Sequence, residues 1–265
     1  MNAVSPEPRW PLLCLAVARY CAGVAVVLLV AAGPLVRWRL ISLTVALDVL
    51  MLVGMLAAFA AVFFGGAALL ASRAGRQAQP RVLNWLAFLS GAALLACGAY
   101  GYARLSAAPM LYDVSTDTAH PPVFLEVLKS READHALNAA DYVANYTVGA
   151  VAVNAPEEQA QAYPDITPVT LLRMKPDAAF SAAEKAARAM GWQMIAVVPA
   201  EGRIEATDTT LYFGLKNDIA IRVRSEHLGR GSVVDVRSSS RFGANDAGAN
   251  AQRIRAFSER LKHPG

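Results

Sequence analysis

Three long stretches without a charge constrain this chain more than any other feature. Tyr20 to Val36 is seventeen uncharged residues, Leu40 to Ala71 is interrupted only by Asp48, and Val82 to Ala103 runs for twenty-two. In hydrocarbon every backbone N–H and C=O needs an internal partner, so such runs fold as helices, and about 20 apolar residues cross a bilayer core. Three transmembrane helices are the expectation, the first extending through Leu12 to Ala18 if Arg19 snorkels to the headgroups. The 55% apolar content of these 265 residues, too high for an ordinary soluble protein, has the same origin. A secretory signal peptide is the rival for the first run, with Ala31-Ala32-Gly33 as its cleavage site, and Pro34 directly after that site argues against it.

Charge divides the chain at the same place. Residues 1 to 104 carry eight basic and two acidic side chains, whereas residues 105 to 265 carry seventeen basic and nineteen acidic. The net +4 therefore comes from membrane flanks, which removes the main support for nucleic-acid binding. With the amino terminus inside, the cytoplasmic loops hold Arg9, Arg19, Arg73, Arg76 and Arg81 against Arg37, Arg39 and Arg104 outside. That bias puts residues 105 to 265 of a bacterial inner-membrane protein outside the cytoplasm, in the periplasm if the host is a Gram-negative bacterium. Trp10, Trp38, Trp85, Tyr100 and Tyr102 fall near span ends, where amphipathic rings prefer the interface. Asp48, the one ionisable residue well inside a span, is a functional candidate by default; reaching water, or pairing with Arg37 or Arg39, is the structural alternative. Gly65-Gly66 reads as a site of close helix packing.

The polar half begins with an acidic segment. Residues 105 to 165 hold nine acidic and two basic side chains and five prolines, which predicts an extended arm with a short helix from Pro156 to Ala162, rather than one regular domain. From Ile166 onward the pattern is regular. A strand is expected over Thr167 to Arg173, a helix from Pro176 to Gly191, and strands over Gln193 to Val198, Arg203 to Leu211, Ile219 to Arg224 and Val234 to Arg237. His227 to Ser232 turns the chain between the last two strands, and Asn250, Ile254, Phe257 and Leu261 share one face of a final helix. Short turns make these strands antiparallel, giving an α+β domain in the order strand, helix, four strands, helix, with both helices on one face of the sheet. The other face is expected to present Glu205, Thr207, Arg222, Arg224, Asp235 and Arg237. The domain division is thus residues 1–104, 105–165 and 166–265.

Particular residues carry a resemblance. Asp113-Val-Ser-Thr-Asp117 with Pro121-Pro122 and Phe124 is followed by Tyr163-Pro-Asp-Ile-Thr-Pro168 and Gly191-Trp192. Ile221-Arg-Val-Arg224 comes next, then Val234-Asp-Val-Arg-Ser-Ser-Ser-Arg241 with Gly243, Asp246, Gly248, Asn250 and Arg253-Ile254. Over about residues 108 to 262 this succession resembles the bacterial family called domain of unknown function 1499, in its common form behind three membrane helices. The resemblance implies fold and boundaries and no established activity.

The residues shared with that family have a structural reading. Asn245 or Asp246 is placed to cap the last helix, and Asn250, on its buried face, needs a backbone partner from the arm or a strand end. Arg241 and Arg253 would fork onto Asp113, Asp117 or Asp165, clamping an arm of net −7 to a domain of net +5. The functional rival is an anion site built from Ser238, Ser239, Ser240, Arg241 and the first N–H groups of the helix. Arg222, Arg224, Arg237, Ser240, Arg241, Asp246, Asn250 and Arg253 are therefore the binding candidates, with Asp113, Asp117 and Asp165 as arm contacts.

Catalytic signals are weaker. His120, His135, His227 and His263 are scattered without metal-ligand spacing, the serines lack a nucleophile elbow, and Asp208 lies alone among threonines. Cys14, Cys21 and Cys97 all lie in apolar runs, so neither a disulfide framework nor a thiolate metal site follows. No metal and no cofactor are expected. The resulting reading is a membrane protein whose outer domain binds a partner protein, an envelope polymer or an anionic lipid headgroup; an envelope hydrolase and a membrane-helix assembly factor are the alternatives.

Overall fold

A computed structural model describes residues 10–73, 81–226 and 229–263. Arg9, Arg76, His227 and the side chains of Arg73 and Arg81 lie outside them. Contacts gather the chain into two compact units, one containing the long apolar helices and the other residues 104–210 and those from 215 onward.

The first unit begins with α1 (Trp10–Arg37) and the single turn α2 (Leu43–Val45). A π-helical turn, Ala46–Met51, leads into α3 (Leu52–Arg73), and α4 (Arg81–Ala107) follows. Three helical stretches, Trp10–Arg37, Leu43–Ala71 and Val82–Ala107, are long and apolar enough to cross a membrane. The first runs from Trp10 without a break, so the expected extension past Arg19 is present. Small residues let these helices approach closely. A methyl group on Gly91 would come within 2.7 Å of the Ala58 carbonyl oxygen, and one on Gly65 within 3.3 Å of the Phe88 backbone.

The second unit opens with β1 (Asp113–Ser115), α5 (Val127–Ala133), the hairpin β2 (Asn145–Val148) and β3 (Val151–Asn154), and α6 (Ala155–Ala162). Then come β4 (Val169–Leu172), α7 (Pro176–Ala189), β5 (Gln193–Val198), β6 (Arg203–Thr209), β7 (Lys216–Ser225), β8 (Gly231–Ser240) and α8 (Ala249–Lys262). The antiparallel sheet runs β1-β8-β7-β6-β5, with β4 also paired to β8. From β4 onward the order is the expected strand, helix, four strands, helix.

β8 organises the sheet. One edge pairs with β7 along nine residues; the other is shared by β4, opposite Gly231 to Val234, and by β1, opposite Arg237 to Ser239. All ten of its residues are buried. The strand is longer than Val234 to Arg237 because backbone pairing with β1 and β7 continues through the three serines, which show no apolar alternation of their own.

Side-chain alternation gives the sheet two distinct faces. Ile204, Ala206, Ile219, Ile221, Val223, Val234 and Val236 pack under α7 and α8 with Phe180, Ile254, Phe257 and Leu261. Trp192 stacks on Phe257 with ring centroids 5.6 Å apart. The opposite face carries the predicted polar residues, but it is not open. Glu205, Thr207, Asp235 and Arg237 are buried beneath the segment that follows β1. Phe124 and Val127 of that segment pack on Ala220, and Glu205 accepts backbone N–H bonds from Leu125, Glu126 and Val127. The acidic segment is thus built into the sheet through β1 and laid across its polar face, because only there do the buried charges find partners.

Candidate functional site

The turn from β8 into α8 brings the sheet, the last helix and the chain before β1 together. Gly243, Ala247 and Gly248 all have left-handed backbone conformations in it. Asp246 sits before the helix and accepts from Gly248 N at 2.8 Å and from Asn250 N at 2.5 Å. Asn245 accepts from Ala247 N and donates its amide to the carbonyls of Leu105 and Ala108. Two helix ends therefore use this turn: the start of α8 through Asp246 and the last carbonyls of α4 through Asn245.

On the helix face lies a closed polar network. Asn250 donates to Tyr112 O at 2.9 Å, the backbone partner expected from the arm, and accepts from Ser238 Oγ and Arg253. Arg253 reaches Asp208 at 2.7 Å, and Ser240 donates to Asn217. On the cap face, Arg241 forks onto both oxygens of Asp218, at 2.9 and 2.7 Å, and turns its remaining nitrogen to Asp134 and to the Ser130 carbonyl. Arg131 of α5 approaches the same Asp218 at 2.7 Å, and Thr207 donates to it at 2.8 Å. Arg237 holds Asp113 with two nitrogens, donates to the Pro122 and Ala140 carbonyls, and lies over the Phe124 ring.

The expected clamp exists with a different set of partners. Arg241 and Arg253 do not meet Asp113, Asp117 or Asp165. Asp113 is taken by Arg237, Asp117 by Arg222, and Asp165 by Arg255. The cause is strand parity: β1 pairs Asp113 opposite Ser239, which sets it diagonally beside Arg237 on the cap face, while Ser238 and Ser240 point to α8. Arg222 and Arg224 converge on one oxygen of buried Asp235 and stay partly exposed at the rim of the cap. Asp48 sits in the π-helical turn with its side chain exposed.

Ser238, Ser240 and Arg241 of the proposed anion site are thus bonded within the fold, Ser239 is buried on the cap face with its hydroxyl unpartnered among the described residues, and the helix start already holds the carboxylate of Asp246. Sequence reasoning passed over Asp218, Arg131, Asp134 and Arg255, and placed Glu205 on the polar face without assigning it a partner. Asp218 shares the two-residue repeat of Ala220 and Arg222, which marked its face, whereas Arg131 and Asp134 lie in a stretch with no sheet periodicity. Burial pushes the Asp246 carboxyl up from its ordinary value, opposed by the N–H groups of Asn250 and Gly248. Hydrogen bonds from Arg255 hold Asp165 below its own. Among the described residues no group of three His, Cys, Asp or Glu side chains could hold a metal ion.

Fold and site together define an α+β domain with polar residues buried on both sheet faces, following helices able to span a membrane. Residues 113–261, more than half of the chain, match the family model described as Protein of unknown function (DUF1499), and the chain belongs to that family. No curated protein and no solved structure matches it.

Two measurements follow from the network. Arg241→Ala takes one of two buried guanidinium groups from Asp218, which keeps Arg131, leaves Asp134 with Lys216, and should destabilise the full chain in detergent by about 3 kcal/mol; denaturant unfolding that shifts by less than about 1 kcal/mol would contradict this burial. A carboxyl with a raised folded pKa favours folding in acid, and that contribution is lost as pH rises from the unfolded value near about 4 through the folded one. Asp246→Asn keeps an acceptor and removes the titration. Wild type should therefore lose melting temperature relative to this variant as pH is raised through that window, and a difference independent of pH would count against the buried cap.

Proposed function

We propose that this chain is a membrane-tethered binding or interaction module of the bacterial cell envelope, with its domain on the periplasmic side of the inner membrane. The observation that carries the reading is the internal use of charge. The guanidinium and carboxylate groups of both sheet faces hold the domain together, so recognition falls to its outer surface and rim. The arginine bias of the short loops supports the orientation. An envelope protein, an envelope polymer or an anionic headgroup is the kind of partner such a tethered body would engage.

Reporter fusions after Ala71 and at the carboxyl terminus should read cytoplasmic and external respectively, and the reverse pattern would overturn the orientation. Photo-crosslinking residues at exposed Val123 and Leu128 in intact cells should capture an envelope component. If they capture none while the purified chain hydrolyses an ester or phosphate substrate, a hydrolase replaces the binding module.

A further inference from the structure

Beside the turn into α8, the second unit has a cleft of roughly 350 Å³ lined by Arg104, Ala107, Pro109, Tyr163, Gln252 and Arg255, among others. Arg255 is fixed there: it holds Asp165 with two nitrogens at 2.5 and 2.7 Å, and its guanidinium carbon lies 5.3 Å from the Tyr163 ring centroid. Those bonds use Nε and one terminal nitrogen and leave the other terminal nitrogen without a partner among the described residues. Arg104 is exposed and, among the described residues, pairs with no carboxylate. The Tyr163 hydroxyl and the exposed Gln252 amide likewise have no hydrogen-bond partner among the described residues. No carboxylate lines this cleft among the described residues; of the two nearby, Asp165 has both oxygens on Arg255 and Asp246 accepts from the backbone of Gly248 and Asn250. Hydrogen-bonding capacity left over in the cleft is therefore mainly donor capacity, carried by two guanidinium groups, a phenol and an amide, which suits the oxygens of an anion.

Chain connectivity places Arg104 of this cleft near the end of a candidate membrane span. α4 has 27 residues and so is about 40 Å long, against a hydrocarbon core of about 30 Å. Arg104 lies on its last turn, just past Tyr100 and Tyr102, whose exposed rings mark an interface position. The guanidinium of Arg104 thus emerges among headgroups, and Ala107 and Pro109 give the cleft an apolar wall.

We propose that this cleft binds the phosphate of an anionic membrane phospholipid, with Arg104 and Arg255 contacting the phosphate oxygens and Tyr163 and Gln252 donating at its rim. This rests on the reading of the domain as a membrane-tethered binding module and gives that module one ligand class. Free phosphate shares the chemistry, but the position at the end of a membrane helix favours the lipid.

The full chain in neutral detergent would be titrated with short-chain phosphatidylglycerol, short-chain phosphatidylcholine and inorganic phosphate, with binding read by native mass spectrometry and thermal shift. Phosphatidylglycerol should bind, Arg104→Gln should weaken it about tenfold without changing the unliganded melting temperature, and Tyr163→Phe should weaken it less. Phosphatidylcholine should bind about tenfold more weakly, and inorganic phosphate at equal concentration should not displace the lipid. Equal binding of both lipids, or an Arg104→Gln variant that binds as wild type does, would overturn the site. Displacement by inorganic phosphate would overturn the lipid assignment and make a free anion the ligand. The tethered-module reading fails separately, on the crosslinking result, since lipid binding in detergent depends on neither an envelope partner nor orientation.

Discussion

Asp218 receives two arginines, Arg131 from the cap and Arg241 from the end of β8, and is itself wholly buried. Taking these three charges out of water is costly, and attraction between them offsets that cost only when every donor and acceptor is placed. The placement comes from three elements at once: β7 supplies the carboxylate, the residue after β8 supplies one guanidinium, and α5 supplies the other. Loss of any one leaves the buried charges of the other two only partly compensated. The same logic repeats in Arg237 with Asp113 and in Glu205 with the start of α5, so the cap is held by charge where the opposite face of the sheet is held by apolar packing.

This division explains what the residues themselves made legible. The apolar runs announced three helices because hydrocarbon leaves the backbone no alternative, and β5 to β8 were visible in alternation because one face of each packs under α7 and α8. β1 was not, since Asp113-Val-Ser is too short for a period and gains its strand identity only from β8. The clamp was readable as a need, from opposite net charges, but not as a pairing. Asp218 faces Arg241 through the register of β7 against β8, and Arg131 reaches it only after α5 has been laid over the sheet. Those are long-range consequences of the fold, and no local spacing encodes them.

The turn from β8 into α8 also changes meaning in this light. Its residue types suit anion binding, yet Ser238 and Ser240 are bonded to Asn250 and Asn217 and its arginine to Asp218 and Asp134. Donor capacity unused among the described residues lies one step outward, at Arg104, Tyr163, Gln252 and one nitrogen of Arg255. Architecture and the proposed lipid site thus draw on neighbouring charged groups, with Arg255 shared through its pair with Asp165.

Buried charge, more than the apolar contact of Phe124 and Val127 with Ala220, fastens residues 117–142 to the sheet. Hydrogen–deuterium exchange of the full chain carrying Asp218→Asn tests it most directly. The account predicts faster exchange across residues 125–140 while the backbone amides of β5 and β6 keep their wild-type protection. Unchanged protection of that cap, or uniform loss across the whole domain, would contradict it.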